Sequence, residues 1–300
     1  MIMNMQVLNV QQLNFPKIED ERGNLSFIEG GRHLPFDIAR VYWIYDVPGG
    51  QIRGSHAFKE QVECIIALSG SFDVVLDNGE EQYRYCMNRA YQGLFVPSMH
   101  WRTIENFSTN SVCLVLSSTA YDRNDYIEDY DLFVQKKKYP LVSSCSHGGC
   151  NCADTPSIKL LNQDDNVYAC TLFSLPKVWN KLQGNLTALN NNVELPFAIK
   201  RIYYIYDIPS GTNRGGHAHK ELLQYLVAVS GSFDVVLDDG RNRKTVHLNN
   251  PYTALMVLPG VWSELANFSS GAVCLVLASD IYCEEDYIRD YVQFINYKHV

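Results

Sequence analysis

The chain carries little positive charge. Its 300 residues contain 25 Lys and Arg against 33 Asp and Glu, which gives a formal net charge of −8 at pH 7. Nucleic acids and anionic membranes bind proteins through a basic face, so this balance argues against both as the main partner. An anionic small molecule remains compatible with the composition, because a local arginine can hold it.

Long apolar runs are missing as well. No segment approaches the roughly 20 apolar residues that a membrane-spanning helix needs, and residues 1–6 lack the basic and apolar regions of a secretory signal. Nine cysteines is an odd number, and Cys64, Cys113 and Cys274 lie in apolar segments, as buried reduced thiols do. We therefore expect a cytoplasmic protein with no membrane partner.

The sequence contains an internal repeat. The octet Gly70–Asp77 recurs letter for letter at Gly231–Asp238, an offset of 161 residues from 70 to 231. The same offset relates Arg53 to Arg214, His56 to His217 and Trp101 to Trp262. The chain is therefore a duplicated domain. We place the units at residues 1–135 and 161–300, with a linker at 136–160.

Short strands dominate each unit. Arg40–Tyr45 and Arg201–Tyr206 are rich in aromatic and β-branched residues, and Asp77–Gly79 and Asp238–Gly240 are strong hairpin signals. Only residues 128–135 and 287–297 show a helical pattern. Close spacing of short strands predicts an all-β antiparallel sandwich or barrel in each unit.

The linker contains a cysteine-rich tract, Cys145–Cys152, with three cysteines and one histidine. Thiolate and imidazole ligands of this kind bind zinc, but the spacing fits no standard zinc-finger pattern. The interpretation we prefer is a solvated linker.

A histidine pair stands out in the second unit. His217 and His219 are two residues apart in an extended segment, so they face the same way. Two imidazoles in one cavity indicate either a metal site or proton transfer on a small molecule. A pair beside Arg214 favours a functional site over hydrogen-bonded barrel residues, because clustered titratable groups favour function.

The spacing of these histidines resembles the first metal-binding motif of the cupins, with one change in each unit. His217 and His219 are followed by Gln224 where that motif has Glu, whereas the first unit keeps Glu63 but has Phe58 as its second residue. The further histidine of the second motif has no matched position. Since a stable metal site needs three or four converging donors, we predict no metal, no cofactor and acid–base chemistry by histidine.

Several segments together resemble the metal-free cupins that act as nucleotide-sugar 3,4-ketoisomerases, the WxcM-like or FdtA/QdtA-like group. The resemblance covers residues 23–133 and 184–294, and the segments that carry it are Arg201–Tyr206, Arg214–Lys220, Val229–Ser232, Asp238–Gly240 and Asp286–Tyr291. It implies an all-β chain of two tandem cupin domains, jelly rolls of the RmlC-like type, packed as a pseudo-dimer. It also implies dTDP-4-keto-6-deoxyglucose as substrate, with the carbonyl moved from C4 to C3 on the way to 3-amino sugars of surface glycans such as lipopolysaccharide.

Roles for single residues follow from this resemblance. Proton removal beside the ketone and its return to the neighbouring carbon need only paired acid and base groups. We expect His219 to be the main proton carrier, His217 its partner, and Arg214 the contact to the enediolate or pyrophosphate. The further substrate-binding candidates are Tyr204, Tyr206, Gln224 and Trp262 and, in the first unit, Arg53, His56 and Arg102.

The two units depart from the family pattern in different ways. Phe58 cannot carry a proton, so we expect the first unit to lack the reaction. Gln183 stands where the first unit has Arg22, and Ser263 stands where it has Arg102. If the units pack as the family's dimers do, one unit lends residues to the site of the other.

Two alternatives stay open: a tandem cupin that binds nucleotide sugars without catalysis, and a related nucleotide-sugar epimerase. A metal-dependent dioxygenase is disfavoured by the incomplete ligand set. Pairing with a second copy of the chain is also open, because exposed strand edges are templates for association.

Overall fold

The structure is a computed structural model that describes residues 9–138, 166–209 and 211–298. Short strands make up nearly all of its regular structure. The first unit contains β1 (Gln11–Asn14), β2 (Lys17–Ile18), β3 (Asn24–Glu29), β4 (Arg40–Tyr45), β5 (Arg53–Phe58), β6 (Glu63–Ser69), β7 (Phe72–Asp77), β8 (Gln82–Met87), β9 (Gln92–Val96), β10 (Trp101–Glu105), β11 (Val112–Ser117), a 3-10 turn (Arg123–Asp125), β12 (Tyr126–Ile127) and α1 (Tyr130–Lys138).

The second unit repeats this order. It contains β13 (Leu172–Ser174), β14 (Lys177–Val178), β15 (Asn185–Asn190), β16 (Arg201–Tyr206), β17 (Arg214–His219), β18 (Gln224–Ser230), β19 (Phe233–Asp238), β20 (Arg243–Leu248), β21 (Thr253–Val257), β22 (Trp262–Ala266), β23 (Val273–Ala278), a 3-10 turn (Glu284–Asp286), β24 (Tyr287–Ile288) and α2 (Tyr291–Lys298).

Both helices begin at a side-chain cap. Asp129 accepts a hydrogen bond from the backbone N–H of Leu132 at 2.7 Å, and Asp290 accepts one from Gln293 at 2.8 Å. Such N-caps satisfy amide groups that the first helical turn leaves free. The helices therefore start later than the sequence predicted, and α1 extends to Lys138, beyond the predicted end of the first unit at 135. Most of the predicted linker, including its cysteine tract, lies outside the described residues.

Each unit is a sandwich of a five-stranded and a seven-stranded antiparallel sheet. The five-stranded sheets have the orders β12-β5-β10-β7-β8 and β20-β19-β22-β17-β24. The seven-stranded sheets have the orders β1-β9-β6-β11-β4-β15-β14 and β13-β21-β18-β23-β16-β3-β2. Each of the larger sheets therefore contains two strands from the other unit.

This strand exchange is reciprocal. β3 of the first unit pairs with β16 of the second, with Phe27 opposite Tyr203, and β15 of the second unit pairs with β4 of the first, with Ala188 opposite Tyr42. Each exchanged pairing runs over six residue pairs. The two units are thereby joined through continuous hydrogen-bonded sheets.

A shared core lies between the two seven-stranded sheets. Alternate residues of β16, including Ile202 and Tyr204, join one apolar cluster with alternate residues of β4, including Val41 and Trp43. The opposite faces of these sheets pack inside their own units, in two further clusters. Since side chains alternate along a strand, strands buried on both faces read as continuous apolar runs, as β11 and β23 do. The prediction of two tandem all-β units packed as a pseudo-dimer is confirmed.

The duplicated octet begins with a glycine for a steric reason. Gly231 has φ +63°, and a Cβ there would lie 2.8 Å from the Cα of Ala272; Gly70 has φ +65° with the same crowding 2.9 Å from the Cα of Ser111. A left-handed backbone so close to another chain segment requires glycine. Within the described residues, no helix is long and apolar enough to cross a membrane.

Candidate active site

A cavity of about 550 Å³ lies in the second unit, where β16 and β17 face the exchanged strand β3. Both units contribute to its wall, and five of the lining residues are arginines: Arg22, Arg32, Arg201, Arg214 and Arg289. Arg201 and Arg214 are buried, whereas the other three are exposed at the mouth. A cavity with this charge suits a ligand with two phosphate groups.

A bulge in β17 brings Arg214 and His217 to the same side. The pairing of β17 with β22 shifts register between Gly215 and His217, and Gly215 and Gly216 both have positive φ. A bulge inserts one residue and re-aims the side chains beyond it. Residues three apart, which a regular strand would place on opposite faces, therefore both line the cavity.

His217 is the histidine in the cavity wall. Burial lowers its pKa to about 3, with a further contribution from the neighbouring His219 and from Arg289. The imidazole is therefore neutral at pH 7, which is the state in which a histidine can accept a proton. Its ring packs edge-on against that of His219, with centroids 4.9 Å apart, and against the ring of Tyr287 at 5.1 Å.

His219 lies behind His217 and is held on both ring nitrogens. Its Nδ1 is 2.7 Å from Oδ2 of Asp286, and its Nε2 is 2.9 Å from Nε2 of Gln224. With Nδ1–H donated to the carboxylate, Nε2 accepts from the amide of Gln224, and the tautomer is fixed. Burial lowers the pKa of His219, and the hydrogen bond to Asp286 opposes that shift. His219 is 5% exposed and does not line the cavity.

A cluster of charges joins the two units at the cavity. Asp20 binds Arg22 through both carboxylate oxygens, at 2.9 and 2.7 Å, and lies 3.2 Å from Nη1 of Arg214. The hydrogen bonds from Arg22 hold the pKa of Asp20 well below its usual range. One carboxylate of the first unit thus orients an arginine from each unit.

Three of the predicted substrate-binding residues lie elsewhere. Tyr204 is fully buried in the shared core and donates to the carbonyl of Ala90, and Tyr206 is buried on the same face of β16. Trp262 packs on Phe294 of α2 and donates to Glu264. The face of β16 that meets the cavity instead carries Arg201, Tyr203 and Ile205. Tyr204 and Tyr206 lie away from the cavity because β16 presents its odd-numbered residues to it, and Trp262 lies away from it because its ring packs on α2.

The predicted residues of the first unit form a separate group. Arg102 lies opposite His56 in the pairing of β10 with β5, and Arg53 contacts the carbonyls of Gln183 and Gly184 at 3.4 Å. None of the three reaches the cavity of the second unit. Gln224 and Arg214, by contrast, line that cavity.

Several residues of the site were not singled out from the sequence. Tyr203, Tyr287 and Arg289 line the cavity, Asp286 holds His219, and Asp20 holds the arginines. The offset of the repeat carried a usable signal for part of this set, because Arg289 corresponds to a glutamate in the first unit and Asp20 to a lysine in the second. Among the described residues, no group of three or more His, Cys, Asp or Glu side chains is arranged to hold a metal ion.

The repeat, the all-β fold and this cavity agree with a comparison against known families. The model of FdtA (WxcM-like, C-terminal) matches residues 8–138 and again residues 168–299. The chain belongs to this family. Its two units are two copies of the family's domain, and the prediction of tandem cupin domains is confirmed.

Named relatives are enzymes. The chain is 49% identical over 115 residues, 38% of its length and 83% of the relative's, to the TDP-4-oxo-6-deoxy-alpha-D-glucose-3,4-oxoisomerase of Aneurinibacillus thermoaerophilus. It is 47% identical to a solved 3,4-ketoisomerase from Helicobacter canadensis, over 43% of this chain and 97% of that one, with a TM-score of 0.42. A mutant of the 3,4-ketoisomerase QdtA from Thermoanaerobacterium thermosaccharolyticum, solved with TDP-4-keto-6-deoxyglucose, is 34% identical over 46% and 100% of the two chains, with a TM-score of 0.44. The prediction of an enzyme of the nucleotide-sugar 3,4-ketoisomerase class is confirmed by the Aneurinibacillus thermoaerophilus relative.

Proposed function

We propose that this chain moves the carbonyl of a dTDP-4-keto-6-deoxyhexose from C4 to C3, through an enediol and at the cavity of the second unit. The observation that carries the proposal is a neutral His217 set in a cavity lined by five arginines. A base and a cationic wall are what proton transfer on an anionic keto sugar requires. The product, a 3-keto sugar, is suited to become a 3-amino sugar of a surface glycan.

The proton moves as follows in this proposal. The ketone at C4 acidifies the hydrogen on C3, and the neutral imidazole of His217 removes it. The electron pair forms the C3–C4 double bond, and the enediolate oxygen is stabilised by the cation of Arg214. The hydroxyl proton on the C3 oxygen passes to the C4 oxygen, and the proton held by His217 returns to C4, which leaves a carbonyl at C3 and a hydroxyl at C4. No electrons leave the sugar.

The sequence assigned the main role to His219, and the geometry favours His217 instead. His217 lines the cavity, whereas Nε2 of His219 is engaged by Gln224 and its Nδ1 by Asp286. We assign His219 the role of positioning His217 through the ring contact between them. Its carboxylate partner stabilises positive charge on the pair when a proton arrives.

The proposal is tested with dTDP-4-keto-6-deoxyglucose in D2O, followed by proton NMR. We expect a 3-keto product that carries deuterium at C4. His217→Asn should lower turnover by about 100-fold or more, as loss of a general base does. The matched control is His56→Asn, at the corresponding position of the first unit, which should largely spare turnover.

Other outcomes separate the alternatives. Binding of the nucleotide sugar without any turnover would leave a binding protein in place of an isomerase. Deuterium at C3 or C5 with the carbonyl still at C4 would show an epimerase. A His56→Asn variant as inactive as His217→Asn would show that the chemistry is not confined to the second unit.

A further inference from the structure

We infer that the chain holds a single nucleotide-sugar site, because the corresponding site of the first unit is filled by its own side chains. The first unit then serves the reaction as the donor of residues on and next to β3. The identity of the ligand rests on the proposed function, whereas the filling of the first site does not.

The side chain that fills the first site is Arg102. It faces His56 across β10 and β5, as Ser263 faces His217 across β22 and β17. In the second unit a serine at this position borders the cavity. In the first unit the guanidinium extends into the equivalent space, where its Cζ lies 5.3 Å from the ring of Phe58.

An ion pair and a hydrogen bond hold this guanidinium in place. Nε of Arg102 is 2.7 Å from Oε2 of Glu63, and its Nη2 donates to the hydroxyl of Tyr42 at 2.8 Å. That hydroxyl in turn donates to Oε1 of Glu63 at 2.8 Å. The side chains of Arg102 and Glu63 are 3% and 1% exposed. Two buried charges of opposite sign this close have little reason to separate for a ligand, because each would be left uncompensated.

Two further positions around the first site carry a carboxylate that the second unit lacks. Glu63 replaces Gln224, and Glu128 replaces the arginine at the mouth, Arg289. Glu128 places a carboxylate where the second unit has an arginine that attracts a diphosphate, whereas the charge of Glu63 is compensated by Arg102.

The donated residues show the same asymmetry. The second unit sends its own strand, β15, to the first site, but the residues it carries differ from those of β3 and its flanks. Asp20, Arg22, Phe27 and Arg32 of the first unit correspond to Lys181, Gln183, Ala188 and Val193. The second unit therefore supplies neither an arginine nor an aromatic ring at these positions. Only one of the two composite sites has a complete set of residues.

Isothermal titration of the intact chain with thymidine diphosphate counts the sites. We expect one equivalent per chain. Two equivalents would overturn the single-site inference and leave the proposed function standing. No binding at all would overturn both.

Reciprocal substitutions test the donated strand. Arg22→Gln gives the first unit the residue that the second unit has, and we expect thymidine diphosphate affinity and kcat/KM to fall by about tenfold. The matched control is Gln183→Arg, which makes the opposite change at the first site and should alter neither quantity. A Gln183→Arg variant with changed affinity, or an Arg22→Gln variant with unchanged affinity, would contradict the inference.

The filling of the first site has its own test, which needs no ligand. Glu63→Gln leaves the guanidinium of Arg102 buried without its counter-ion, and we expect a lower melting temperature. The double variant Glu63→Gln with Arg102→Ser installs the pair present in the second unit and should recover part of that loss. A single variant as stable as the wild type would show that the ion pair does not fill the site, and so would a double variant that is less stable than the single one.

Discussion

His56 and His217 occupy the same register position in the two units, but their surroundings differ. The cation of Arg102 lies beside His56. Nε2 of His56 has no hydrogen-bond partner among the described residues. Burial and this cation lower the pKa of His56 to about 2, from an ordinary value of 6.5. A histidine whose pKa is lower in the folded state than in the unfolded chain makes its full contribution to folding stability above pH 6.5. That contribution is lost as the pH falls from there toward 2, because only the unfolded chain binds the proton.

The lowered pKa of His56 therefore predicts that the free energy of unfolding falls in acid. Between pH 7 and pH 5 it should account for about 2 kcal/mol of the lost free energy of unfolding. His56→Phe removes the titration while keeping a ring against Phe58 and Tyr126. Urea unfolding at both pH values should show a loss smaller by about that amount in the variant. An equal loss in both proteins would assign the sensitivity to other groups.

Asp286 should support both the folded structure and catalysis, whereas its counterpart in the first unit should support the folded structure alone. It accepts hydrogen bonds from the amides of Lys220 and Glu221, and it also binds His219. Its counterpart Asp125 accepts hydrogen bonds from the amides of Glu60 and Gln61, but Phe58 stands at the position that His219 has in the second unit. Asp286→Asn should therefore lower kcat at least about tenfold through His219, while Asp125→Asn should leave it unchanged.

Melting temperatures complete this comparison, because each carboxylate accepts hydrogen bonds from two backbone amides and the two variants should lose similar stability. The pH profile of kcat should also shift in Asp286→Asn alone. Equal effects of the two variants on kcat would reduce Asp286 to a structural residue.

Among the elements, β16 shows what the sequence could predict and what it could not. Its strand character was predictable from Arg201–Tyr206, and so was its repetition as β4. Its orientation was not, because both faces carry tyrosines and both are buried, one in the shared core and one at the cavity. Periodicity reports a buried face only when the other face is polar.

The strand exchange was equally hidden in the sequence. β3 has the pattern of a strand whichever unit it pairs with, since register and partner are set by the assembled sheets. The histidine pair, Arg214 and Gln224 were predictable because their motif is local. Asp20 and Arg32 were not singled out, because their place at the cavity depends on a pairing between distant segments.

The exchange predicts that the two units hold together without the linker. A protease site placed between residues 139 and 165 and then cut should leave one species in size exclusion, with turnover retained. The two units are held together by the six-residue pairings of β3 with β16 and of β15 with β4, and by the shared core. An uncut sample treated with the same protease is the control. Separation of the fragments would show that the pairings alone are insufficient.

At the scale of the whole molecule, the net charge is negative whereas the cavity wall is rich in arginine. The chain has a net charge of −8, yet its cavity collects five arginines. Attraction of an anionic sugar is therefore local, and three of the arginines lie at the exposed mouth, where salt screens them.

We accordingly expect KM for the nucleotide sugar to rise as NaCl increases from about 0.05 to about 0.5 M, while kcat changes little. Thymidine diphosphate titrations over the same range should follow KM. The melting temperature serves as the control that folding is unaffected. A constant KM would place the binding energy in the buried part of the site.

The strand exchange also has a genetic consequence. In a pair of identical chains, one codon determines the same residue in both sites, so no change can be confined to one of them. Here codons 22 and 183 mutate separately, and they now encode arginine and glutamine. A single reading frame with two units therefore allows one site to change while the other is kept. The site of the second unit also requires the whole gene, because its donor strand and its histidines are encoded in different halves.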